Sequence, residues 1–217
     1  YDLNGSSLKV LSVVKDLGVA VDKNLRFDNH ISSVVHKSLQ RANLILKCFQ
    51  SRDRSLLMKA FKVYVRPLLE YATPVWSPHF MYLILKIEHV QRSFTKRLFG
   101  LKNLTYIDRL KQLEIDTLEH RRLIYDLCTC FKIIHGYNDT CLDMNRMHLE
   151  GRPNNTRGHN LKLAKEMCRT DMLRFFFCNR ICTVWNSLPL DVVNAPSVNS
   201  FKKRVSKFNL DRFLTLK

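Results

Sequence analysis

Phe80-Met81-Tyr82-Leu83-Ile84-Leu85-Lys86-Ile87-Glu88-His89-Val90-Gln91-Arg92-Ser93-Phe94-Thr95-Lys96-Arg97-Leu98 is the stretch that decides the fold class. At the helical step of about 100° per residue, Leu83, Ile84, Ile87, Val90, Phe94 and Leu98 fall on one apolar stripe. Lys86, His89, Arg92 and Lys96 fall on the opposite side, and Gly100 ends the run. The spacing predicts an amphipathic helix over 80–98.

The same period extends in both directions. From His30 to about Gln50, Ile31, Val34, Val35, Leu39, Ala42, Ile45, Leu46 and Phe49 recur at steps of three and four. Asp53 is the expected N-cap of the next helix, with Leu56, Leu57, Ala60, Phe61, Tyr64 and Leu68 on its apolar side. Pro67 is expected to kink or end that helix, and Pro74 and Pro78 to bracket a turn carrying Trp76. Downstream, a short helix is predicted over 106–113 and a longer one over 118–135, closed by Gly136. Upstream, residues 8–22 read as two short strands, with Leu17, Val19 and Val21 alternating around Gly18. The fold class that follows is mainly α, with a short N-terminal β-hairpin, a helical domain and a helical C-terminal region.

Residues 137–160 are rich in Asn, Gly and Arg and are expected to form a loop and boundary. The expected segments are therefore 1–28, 29–136, 137–160 and 161–217. In the last of them, Leu173 to Trp185 is strongly apolar. Phe175, Phe176 and Phe177 cannot all point inward from one strand, so at least one is expected at an interface. Ser197 is expected to cap a final helix with Phe201, Val205 and Phe208 inward.

An apolar fraction of 46% over 217 residues excludes wholesale disorder. Lys plus Arg outnumber Asp plus Glu by 36 to 19, a net charge of +17, which points toward polyanions, of which phosphate backbones are the commonest. No run of about 18 apolar residues offers a membrane span, and no basic leader with an apolar core opens the chain. The first residue is Tyr1 rather than Met, which is expected of a fragment or processed product. Seven cysteines, an odd number set partly on apolar helical faces, are expected as free, mostly buried thiols of an intracellular protein, nuclear or cytoplasmic rather than secreted.

Other chemistry finds little support. Cys128 and Cys130, or Cys178 and Cys182 with no histidine after His159, do not have the spacing of a zinc knuckle. Cys128 shares a helix with His120 and His135, but nothing supplies an oxyanion site. Six scattered glycines build no phosphate-cradling loop. The aliphatic neighbours of Trp76 and Trp185 favour burial over stacking on a base.

Three blocks carry a family resemblance: Lys15-Asp16-Leu17-Gly18-Val19-Ala20-Val21-Asp22 through Ile31, Val65-Arg66-Pro67-Leu68-Leu69-Glu70-Tyr71, and Ile87-Glu88-His89-Val90-Gln91-Arg92 through Leu98. Farther on come Thr156-Arg157-Gly158-His159, Phe175-Phe176, Trp185-Asn186-Ser187-Leu188-Pro189 and Ser200-Phe201-Lys202. In this order they resemble the region after the catalytic palm in reverse transcriptases of jockey-like and chicken-repeat-like non-LTR retrotransposons. The resemblance covers residues 8–210 and implies a palm-exit hairpin over 1–28, a helical thumb over 29–136 and a C-terminal tail.

It implies as partners an RNA template and DNA primer duplex, together with the endonuclease and the palm and fingers of the same polyprotein; no membrane is implied. Mg²⁺ is implied for the palm alone. This chain has no Asp-Asp pair, one carboxylate such as Asp22 cannot hold two Mg²⁺ ions, and no catalytic or metal residue is assigned. By itself the chain is expected to be inactive, with no cofactor.

A thumb grips phosphates with cations on a rigid face. The candidate nucleic-acid-binding residues are Gly18, His89, Arg92, Lys96, Arg97, Arg121, Arg122, Lys202, Lys203 and Arg204. Gly18 is expected to serve the backbone, by positive φ or by close approach to a strand, with a bare hairpin glycine as the alternative. For the cations the alternative is the solvated side of an amphipathic helix. Two rival functions stay open: a stand-alone nucleic-acid-binding remnant and a helical protein-interaction domain.

Overall fold

Residues 2–3, 6–7, 11–137 and 159–216 are described by the structure, a computed structural model. Strands β1 (Asp2–Leu3) and β2 (Ser6–Ser7) pair antiparallel. The hairpin proper is β3 (Val13–Asp16) against β4 (Val19–Asp22), with Val14 opposite Val21 and Asp16 opposite Val19. Its two-residue turn, Leu17 at φ 44° and Gly18 at φ 87°, is left-handed at both positions, the conformation that matches strand twist and favours glycine. Residues 8–10, expected in the first strand, lie outside the described residues.

Asp22 then organises the passage into the first helix. Its carboxylate accepts the backbone amides of Asn24 at 3.0 Å, Arg26 at 3.3 Å and Phe27 at 2.8 Å. Those bonds hold Leu25 and Phe27 in the left-handed region, at φ 52° and 60°. Burial would raise the Asp22 carboxyl, but the amides outweigh it and set it below its ordinary range. Helix α1 (Asp28–Cys48) follows, and its buried His30 accepts the Ala20 amide at 3.2 Å, which docks the hairpin.

Asp53 caps α2 (Arg54–Ala60) through the Ser55 amide. Pro67 does not end the helical run, which continues to Glu70. It lacks an amide and crowds the carbonyl one turn back. The chain widens into a π segment (Phe61–Val65) in which the Arg66 amide reaches Phe61 O, and continues as α3 (Arg66–Glu70). The expected Trp76 turn is a short helix, α4 (Thr73–Trp76). Next come α5 (Met81–Lys96), α6 (Tyr106–Leu113) and α7 (Leu118–Ile134). The C-terminal region holds α8 (Asp171–Arg174), α9 (Phe177–Trp185), α10 (Leu190–Val193), α11 (Val198–Val205) and a 3₁₀ turn (Asp211–Phe213). The protein is mainly α with an N-terminal hairpin.

Two apolar cores form. The first joins the hairpin, α1, α2, the π segment, α3 and α5, from Val19 to Leu118. The second joins α7 with α9, α10 and α11, from Ile124 to Leu210. The change of core thus falls inside α7, upstream of the loop taken as the boundary, because α7 presents Leu118 to one core and Phe131 to the other. That loop lies outside the described residues from 138 to 158.

Trp76 and Trp185 are both core anchors, and each indole N–H donates to a backbone carbonyl, of Tyr71 at 2.8 Å and Leu161 at 2.7 Å. Phe177 is buried, Phe176 is exposed, and Phe175 stacks on His79 with centroids 3.6 Å apart, joining the C-terminal region to the helical domain.

Candidate nucleic-acid interface

Helices α1 and α5 lie side by side and parallel. Three side-chain bonds join residues separated by a constant 54 positions: Tyr82 O–H to Asp28, Lys86 Nζ to Ser32 Oγ at 2.7 Å, and Arg97 Nη1 to Asn43 Oδ1 at 2.7 Å. These rungs make a polar seam on the outer surface, and a step of about 100° per residue places His36 and Lys47 on one bank and His89 and Lys96 on the other. All four are exposed. The inner sides of both helices are apolar: Ile31, Val35, Ala42 and Ile45 meet Leu83, Ile87, Val90 and Phe94.

The seam is poor in acids. Within α1 and α5 the acidic residues are Asp28, tied to Tyr82 and to Arg26 at 3.4 Å, and Glu88. Glu88 is 0% exposed. It accepts the Tyr106 hydroxyl and, at 3.0 Å, the Leu118 amide that opens α7. Burial pushes its carboxyl up, partly offset by those bonds and by Arg122. Its charge faces α6 and α7, so the outward sides of both helices keep Lys37, Lys47, Lys86, Arg92 and Lys96 with Asp28 alone against them. Arg41 turns instead to the π segment, donating to Tyr64 O at 3.2 Å.

The expected cations part company on this frame. His89, Arg92, Lys96 and Arg97 come together on exposed α5 and its end. Arg92 leans away from the seam, its guanidinium 4.8 Å from the Tyr106 ring centroid. Arg121 is half-buried and holds Glu70 through two bonds, Nε to Oε1 and Nη2 to Oε2 at 3.2 Å. Burial would lower its pKa, but the Glu70 bond and charge raise it.

Arg122 requires a correction. It is 2% exposed and faces inward among Glu88, Glu119 and Asp126, so it cannot meet a phosphate from outside. One residue along α7 turns the side chain by about 100°, from the surface to the interior.

Lys202, Lys203 and Arg204 form a separate exposed spot in the last turn of α11, where cations also complement the helix dipole. That helix packs on α7 through Phe201 and Phe131, 4.4 Å apart, and Arg204 donates to Asp191 O. Gly18 sits at the hairpin tip with positive φ, and a Cβ there would meet Tyr71 at an ordinary 3.6 Å, so the turn conformation alone accounts for it. Lys86 lies outside the expected set of cations, as do His36, Lys37 and Lys47 on α1. Their readable signal is that α1 carries a single acid, at its first position.

Among the described residues no group of three or more His, Cys, Asp or Glu is placed to hold a metal, and the Asp22 carboxylate is already occupied by backbone amides. The described cysteines are less buried than expected: Cys130 and Cys182 are buried, Cys128, Cys168 and Cys178 are half-buried and Cys48 is exposed. Burial pushes the Cys130 thiol well above its ordinary value, which suits an inert core thiol. No helix among the described residues is long and apolar enough to cross a membrane.

Fold and surface together define a mainly helical protein with a basic, acid-poor two-helix face. The chain is similar to an uncharacterized protein of Caenorhabditis elegans, 32% identical over 126 residues that make up 57% of this chain and 64% of that protein. It thus spans a little under two thirds of the length of the curated relative it matches. No protein-family model matches the chain, and no solved structure does.

Proposed function

We propose that this chain is the thumb and tail of a non-LTR retrotransposon reverse transcriptase, handling an RNA template and DNA primer without performing the chemistry. The observation that carries the reading is the α1–α5 seam: cations bridged between two rigid parallel helices, with the one other acid, Glu88, turned inward. Rigid cations with few competing acids suit phosphate contact, which positions a duplex and carries no sequence information. On this reading the catalytic aspartates and Mg²⁺ belong to a palm outside these residues, and the work is intracellular.

The test is fluorescence anisotropy with a labelled RNA–DNA hybrid at 50 and 200 mM salt. A seam that neutralises about six phosphates loses roughly a thousandfold in affinity over that range. Affinity that is weak and flat with salt favours a helical protein-interaction domain. Equal, salt-steep binding to the hybrid and to DNA duplex favours a stand-alone nucleic-acid-binding remnant.

A further inference from the structure

A cleft of about 450 Å³ opens between the Asp22–Phe27 turn, the segment after α4 and the phenylalanine run before α9. Its walls are rings: Trp76, His79, Phe80, Phe175, Phe176 and Phe177. Such a volume falls within the range of about 300–1,000 Å³ that encloses small organic ligands, and flat aromatic walls select a flat occupant. The His79 and Phe175 rings already lie 2° from parallel.

The charge around the cleft is uneven. Arg26 stands at the rim, its side chain 49% exposed and its guanidinium 4.9 Å from the Phe80 centroid. Arg180 on the other wall is committed to Asp126 and to Pro74 O at 2.7 Å. Asp171, the acid among the lining residues, is exposed and lies 3.8 Å from Arg174. Each charged lining residue therefore has a counter-charge beside it, and Arg26, at the rim over Phe80, is the exposed cation that an occupant's phosphate can reach.

Arg26 also joins the cleft to the seam. It donates to Tyr82 Oη at 3.0 Å and pairs with Asp28, and Tyr82 with Asp28 is the first rung between α1 and α5. A strand whose phosphates follow the seam reaches the cleft at the N-terminal ends of both helices.

We propose that the cleft receives an unpaired nucleobase, at or beside the end of a duplex held on the seam. The base stacks among the rings while Arg26 meets the adjoining phosphate. An apolar peptide would fill the same rings but would make no use of the cationic rim and seam. The inference rests on the nucleic-acid reading above.

The experiment uses the whole chain and two probes: a blunt RNA–DNA hybrid and the same hybrid with one unpaired 2-aminopurine at a strand end. Stacking on aromatic side chains contributes about 1–3 kcal/mol per base, so the overhang should bind about 5- to 150-fold tighter, with its fluorescence quenched. Phe176→Ala removes a ring that is 38% exposed, so the fold should survive, which a thermal melt checks. It should close the gap between the probes and restore fluorescence while the blunt hybrid binds as before. Arg26→Gln should narrow the gap without altering a core side chain. Equal affinity of the wild-type chain for both probes, or a gap that Phe176→Ala leaves intact, overturns the cleft assignment and leaves the seam standing. Failure of both probes to bind in a salt-dependent way overturns the seam reading and the cleft with it.

Discussion

Arg180 grips Asp126 through two hydrogen bonds, Nε to Oδ2 at 2.9 Å and Nη2 to Oδ1 at 3.1 Å. Asp126 lies on α7 and is 3% exposed; burial raises its pKa and Arg180 opposes the rise. The same guanidinium reaches Phe175 O and Pro74 O, so one side chain ties α9 to α7 and to α4. Arg180→Met leaves a buried carboxylate without its partner, at a cost of about 3–5 kcal/mol. Urea unfolding should show the drop in midpoint, and adding Asp126→Leu should recover much of it.

The seam predicts a graded loss of phosphate binding. Lys86→Ala and Arg97→Ala should each weaken RNA–DNA hybrid binding and lower the salt slope by about 1. Arg122→Met, although it also removes a cation, should leave that slope unchanged, because the side chain is interior. Titrations at several salt concentrations separate these outcomes.

Acidification should loosen the chain. Burial pushes His30, His79 and His159 below their ordinary 6.5, against the Trp185 carbonyl in the case of His159. An unfolded chain therefore takes up protons first as pH falls through 6.5, and stability present above that value is lost toward the lower folded values. The urea midpoint should fall between pH 7.5 and pH 5.5. A midpoint that rises would contradict the burial of these rings.

The hairpin should be the loosest ordered part. Two strands alone are marginal, and Leu11, Val14 and Leu17 are exposed, Leu17 at 84%. Tyr71 O–H holds the tip by donating to Leu17 O at 2.9 Å. Tyr71→Phe removes one exposed hydrogen bond, so hairpin amides should exchange about 2- to 12-fold faster. Amides of α5 serve as the unaffected reference, and hairpin protection equal to theirs would count against the weakness.

Elements were legible where local periodicity or capping chemistry specifies them. Leu83, Ile84, Ile87, Val90, Phe94 and Leu98 are all buried as one stripe, and Asp53 and Ser197 cap the helices expected of them. Partners across the chain were not legible. Nothing in the period of α1 or α5 says that they run parallel, a relation fixed by packing between segments about 50 residues apart. Arg121 and Arg122 look alike in sequence, yet Glu70 claims one near the surface and the interior takes the other. The basic face was half-read for the same reason: α5 showed its cations, while those of α1 gain meaning only from the neighbour beside them.

The wide turn at Phe61–Val65 has a consequence for the carboxylate five residues beyond it. Each helical residue rotates the chain by about 100°, so the π segment acts as a phase setter for everything up to Glu70. It is the phase that points Glu70 at Arg121 on α7, with Arg66 3.7 Å away on its own helix. Removing one residue from the segment would rotate that carboxylate by about 100° away from α7 and leave Pro67 crowding the carbonyl one turn back. The link between the end of this helix and α7 would be gone.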